Sequence, residues 1–84
     1  MELLELNYQD WDGIDRFKKY EIIKWNVKTI TVKEVGIFRD DHGGQAWGRD
    51  IEDGEVKRLK LIPTDGGQFW FVKDELYMGF VERR

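Results

Sequence analysis

Histidine, carboxylates and hydroxyls are what a cysteine-free chain can use for catalysis or metal binding, and here they are thinly arranged. The single histidine, His42, lies in Asp40-Asp41-His42-Gly43-Gly44, where the carboxylates could raise its pKa or share a cation with it. The same residue types build a tight turn, which is the simpler reading. One histidine without cysteine does not make a structural zinc site. Asp10, Asp12 and Glu21 occupy positions one, three and twelve of a calcium-type loop, but Asp15 stands where that loop needs glycine. Asp12 is better explained as a helix cap. The chain has no serine, and Thr29, Thr31 and Thr64 have no evident base nearby. Neither Gly43-Gly44 nor Gly66-Gly67 is followed by the Lys-Ser/Thr of a phosphate loop. The sequence therefore reads as non-catalytic, with no catalytic residue, cofactor or metal site expected.

Binding chemistry is more visible. Asp53-Gly54 is a two-residue hairpin signal, and such a turn would set Trp47 opposite Lys60 and Arg49 opposite Arg58. Ala46, Gly48, Leu59 and Leu61 would then share the other face and form a core layer. The face with Trp47, Arg49, Arg58 and Lys60 should stay outside, because burying two guanidinium groups and an ammonium is costly. These four residues are the expected partner-binding set, suited to acidic side chains or to phosphates beside a stacked base. The bland alternative is an ordinary solvated face in which Lys60 covers Trp47.

The elements that must hold this face are mostly β-type. Val27 to Phe38 is rich in β-branched residues, and its alternation changes parity between Ile30/Val32 and Val35/Ile37, which predicts a bulge near Glu34–Gly36. Gln45 to Glu52, Glu55 to Ile62, Gln68 to Lys73 and Leu76 to Glu82 read as further strands between glycine- and aspartate-bearing turns. Leu3, Leu4 and Leu6 suit an opening strand. For Gly13 to about Trp25 a helix is favoured, because Trp11, Ile14, Phe17, Ile22 and Trp25 fall in one sector of roughly 140°. Tyr20-Glu21-Ile22-Ile23-Lys24-Trp25 reads nearly as well as a strand. The expected fold is thus α+β and β-rich: one short N-terminal helix on a five-stranded antiparallel meander or SH3-like open barrel, with all-β as the alternative. Phe71 to Val81 resembles the closing strands of SH3-like modules, a likeness over about a tenth of the chain that implies nothing about function.

Length and composition bound the rest. Residues 1–84 form one domain, small enough that only about 60–65% of the chain's surface can be buried. Four Trp, five Phe and three Tyr are more than so small a core requires, so some are left for a surface. Phe69, Trp70 and Phe71, with Tyr77, Met78 and Phe80, are candidates for either role. The acid-bearing N-terminus lacks a signal-peptide pattern and no apolar run could cross a bilayer, so a cytoplasmic protein is expected. With 17 acids against 14 bases, the net charge of −3 offers no long-range attraction to a polyanion. The expectation is a non-catalytic protein-binding module, a small regulator or inhibitor of a larger macromolecular machine. Single-stranded nucleic-acid binding on the same Trp/Arg/Lys face is the alternative, and a homodimer through an edge strand is compatible with both.

Overall fold

The computed structural model describes residues 2–40 and 46–82. Among these the chain forms eight β-strands and no helix: β1 (Leu3–Gln9), β2 (Asp15–Trp25), β3 (Thr29–Asp40), β4 (Ala46–Asp50), β5 (Val56–Lys60), β6 (Ile62–Pro63), β7 (Phe69–Asp74) and β8 (Tyr77–Glu82). All pairings are antiparallel. The sheet runs β4-β3-β2-β1-β8-β7-β6, and β5 also pairs with β3. Because β5 and β6 are separated by Leu61 alone, the β3–β5 and β6–β7 pairings return the sheet upon itself. The all-β alternative fits this arrangement.

The helix expected over Gly13 to Trp25 is instead an eleven-residue strand. Asp12, read above as a helix cap, holds a turn: its Oδ1 accepts from the Ile14 amide at 3.1 Å. Gly13, at φ 85°, supplies the left-handed residue of that turn. Backbone bonds Gly13 N to Asp10 O and Asp10 N to Ile14 O then close the β1–β2 hairpin. Ladders on both sides, to β1 and β3, outweigh an apolar sector that suits either element.

The bulge lies where the parity change places it. Lys19 pairs with Gly36 but Tyr20 pairs with Glu34, leaving Val35 as the extra residue of β3. Ile30, Val32 and Glu34 consequently face inward before the bulge, and Ile37 and Arg39 share that side after it. A second irregularity leaves Ile23 extra on β2.

The core is Leu4, Leu6, Tyr20, Ile30, Val32, Leu59, Leu61, Val72 and Val81, with Ile22, Trp25, Trp70 and Tyr77 packed against it. One end of the molecule extends past this core. There the ends of β1 and β3 and the start of β2 join β4 in a blade, and the radius of gyration reaches 13.4 Å. A compact chain of this length would show roughly 12 Å.

Candidate functional site

The blade brings aromatic and cationic side chains into adjacent rows. Tyr8, Arg16, Arg39 and Trp47 are successive cross-strand partners from β1 to β4, and Lys18, Ile37 and Arg49 form the next row on the same face. Trp47 is 49% exposed. The Arg39 guanidinium lies 5.4 Å from its ring centroid, a cation–π pair at the surface. Arg49 is exposed one row away. Arg16 is drawn back by Asp10, whose Oδ2 accepts from Nε at 3.1 Å. Hydrogen bonding from Tyr8 and then Arg16 holds the Asp10 carboxyl below its ordinary range. Trp47, Arg39 and Arg49 are therefore the exposed aromatic and cationic side chains of this face.

The reverse face of the blade is aromatic. Phe17 stacks on Phe38 with centroids 4.9 Å apart and planes 14° from parallel. Gly48 pairs with Phe38, and a Cβ there would stand 2.7 Å from the Phe38 Cβ, so the close approach requires glycine. A hollow of about 420 Å³ beside Trp47 is lined by Phe17, Phe38, Arg39, Asp40 and Gly48. Among the described residues β4 pairs only with β3, leaving its second edge available for strand addition.

This geometry separates the four residues expected to act together. No hairpin turn forms at Asp53-Gly54: the chain bends at Glu52-Asp53 and continues in the same direction, so β4 and β5 do not pair with each other. They lie end to end along the twelve residues of β3, Arg49 opposite Ile37 and Arg58 opposite Thr31. Six positions of strand put these pairs about 20 Å apart. Trp47 and Arg49 share the face of Ile37 and Arg39, whereas Arg58 and Lys60 point outward with Thr31 and Thr29. The cause lies at the bulge, where Ile51 N bonds to Val35 O and Glu34 N to Glu55 O. Gly54 lies against the Glu34 backbone there, leaving no room for a side chain. The inward assignment of Leu59 and Leu61 holds, while Gly48 is exposed.

A second cluster, absent from the sequence expectations, lies inside the closed sheet beneath the blade. Lys57 Nζ stands 3.1 Å from both Asp74 carboxylate oxygens and 3.0 Å from Glu34 Oε1. Lys18 Nζ reaches the same Glu34 oxygen at 3.1 Å and lies 5.0 Å from the Tyr77 ring centroid. The Tyr20 hydroxyl donates to Asp74 Oδ2 at 2.6 Å. Burial alone would raise both acids, but Tyr20 and Lys57 hold Asp74 below its ordinary value, and Lys57 and Lys18 do the same for Glu34. Burial would lower the Lys57 ammonium, yet hydrogen bonds to Glu34 and Asp74 push it up. Burial and the Asp74 hydrogen bond push Tyr20 up. The shifts keep Glu34, Asp74 and Lys57 charged and Tyr20 a neutral donor at neutral pH, so the cluster holds its protons in place rather than exchanging them. Strand parity carried the signal: Lys57 alternates with Leu59 and Leu61, Glu34 with Ile30 and Val32, and Asp74 with Val72.

His42 and its turn lie outside the described residues. Among the described residues no group of three or more potential metal ligands converges, and no helix is long and apolar enough to cross a membrane. Comparison with protein families, curated proteins and solved structures finds no match to this chain.

Proposed function

We propose that this chain is a non-catalytic protein-binding module that presents the blade to an acidic segment of a partner. The carrying observation is the half-exposed Trp47 beneath Arg39, with Arg49 one row away and the edge of β4 beside them. Tryptophan and arginine are the residues most often found where a few side chains carry an interface. The open edge offers backbone hydrogen bonds to an extended segment, and the arginines offer paired contacts to its carboxylates. Of the four residues singled out in the sequence, this reading keeps Trp47 and Arg49 as the docking pair and leaves Arg58 and Lys60 as a solvated outer face. Arg39 takes the place they were expected to fill. A small cytoplasmic module of this kind suits regulation or inhibition of a larger assembly.

The same face suits single-stranded nucleic acid, with a base on Trp47 and phosphates at Arg39 and Arg49. The net charge of −3 weighs against it. Capture from lysate with tagged protein, in nuclease-treated and untreated halves, separates the readings. A defined protein band should survive nuclease, vanish with Trp47→Ala/Arg49→Glu and persist with Arg58→Ala/Lys60→Ala. Loss of every band on nuclease treatment, with binding that falls steeply as salt rises, transfers the assignment to nucleic acid. Bands unaffected by Trp47→Ala/Arg49→Glu would refute the blade as the binding face.

A further inference from the structure

The outer face of β6, β7 and β8 carries an apolar surface that neither the core nor the blade uses. Ile62 pairs with Phe71 and Phe71 with Phe80, forming a continuous row across three strands. The Phe71 and Phe80 rings meet edge to face at 5.7 Å. Phe69 and Met78 flank the row, and Leu3 stands nearby on β1. Leu3, Ile62, Phe69, Met78 and Phe80 are between 41% and 64% exposed. At roughly 150–200 Å² for each free side chain, they present about 450 Å² of apolar surface. That is in the range of the largest patches on monomeric proteins, which are often functional.

The charges around this patch are arranged with a direction. Lys73 closes one end, paired with Met78, and Glu82 closes the other, paired with Phe69. Neither has an ion-pair partner among the described residues. A two-fold axis along the Ile62–Phe71–Phe80 row would stack each aromatic on its own counterpart and reverse the strand direction of the second copy. Lys73 of one copy then lies opposite Phe69 of the other and is offset sideways from its Glu82 by one strand spacing of ~4.8 Å, across facing sheets ~10 Å apart that the two side chains span. The exchange repeats on the far side of the axis, so the Lys73 and Glu82 ends are complementary to one another, while exposed Glu5, which the β1–β8 register sets beside Phe80, meets its own counterpart at the solvated edge of the face. A partner of uniform charge would satisfy one end and oppose the other.

From this we infer that the β6–β7–β8 face is a homodimer interface, two copies packing face to face with reciprocal Lys73–Glu82 pairs. With its polar rim, the buried surface approaches the low end of standard interfaces, about 600 Å² per partner, a size at which association is weak and transient. The blade lies on other strands and remains open in the dimer.

Sedimentation equilibrium of the full chain, from about 5 to about 500 μM, tests the inference. The wild type should move with concentration from 10.1 kDa towards twice that mass. Phe80→Glu should remain monomeric throughout, with its circular dichroism unchanged because Phe80 is already exposed. Lys73→Glu and Glu82→Lys should each weaken association about tenfold, and the double exchange should restore it to within about threefold of wild type. Trp47→Ala should leave the dimer intact, which keeps this test separate from that of the blade. A wild type that stays monomeric at every concentration overturns the inference. So does a dimer indifferent to Phe80→Glu, or one that the double exchange fails to restore.

Discussion

Replacing Lys57 by methionine removes the cation that joins β5 to β3 and β7 while keeping most of the apolar stem. In the wild type its ammonium contacts both oxygens of Asp74 and one of Glu34 at 3.0–3.1 Å, and its side chain is 16% exposed. Glu34 would still have Lys18, but Asp74 would have only the Tyr20 hydroxyl. Removing one member of a buried ion pair costs about 3–5 kcal/mol, and the residual exposure of Lys57 argues for the lower figure, about 3 kcal/mol at pH 7. A chain of this length loses about 1 kcal/mol of stability per molar urea, so the midpoint should fall by about 3 M. The pH dependence is more diagnostic. In the wild type, Asp74 and Glu34 sit below their ordinary values of 3.8 and 4.5, so their stabilisation is present above those values and is lost as acid protonates the folded state. In Lys57→Met the burial of Asp74 is no longer outweighed and its folded pKa rises above the unfolded one. The variant therefore regains stability relative to wild type as the pH falls, and the gap narrows towards pH 3.5. Urea unfolding followed by circular dichroism at pH 7 and about pH 3.5 measures both effects. A loss below about 1 kcal/mol at pH 7, or an equal gap at the two pH values, would show that solvent screens the cluster and that the reasoning is wrong.

Three further substitutions probe the frame. Tyr20→Phe removes a 2.6 Å hydrogen bond to a carboxylate and should cost about 2 kcal/mol, with a coupling to Lys57→Met of about 1 kcal/mol in a double-mutant cycle. Gly54→Ala drives a methyl group into the Glu34 backbone, and thermal melting should show a loss above about 2 kcal/mol, since the clash is with main chain rather than a movable side chain. Gly48→Ala crowds the Phe38 Cβ and should disturb the blade more than the core. Partner capture should therefore fall while the urea midpoint moves by less than that of Gly54→Ala.

Much of the strand pattern was legible because side-chain alternation is a local property. The β3 bulge followed from the parity change between Val32 and Val35, and the short strands β7 and β8 followed from their flanking turns. Residues 13–25 were not legible. Their apolar sector fits a helix, their β-branched and aromatic content fits a strand, and the choice rests on β1 and β3, which lie outside that window. The inward charges of Lys57, Glu34 and Asp74 had the right parity, but three elements distant in sequence must meet before their burial becomes tolerable.

The binding face divides in the same way. Composition and alternation alone established a β-rich, cysteine-free chain with surplus aromatics and with Trp47 and Arg49 on one side of a strand. Tertiary structure decided what lay beside them. A turn signal such as Asp53-Gly54 specifies that the chain bends, whereas pairing depends on which backbone edge is free. The long edge of β3 accepted β4 and β5 in succession, parting Trp47 and Arg49 from Arg58 and Lys60 and setting Arg39 over the indole instead. Hydrogen-bonding edges are satisfied by the whole sheet at once, so no single hairpin in the sequence contains that choice.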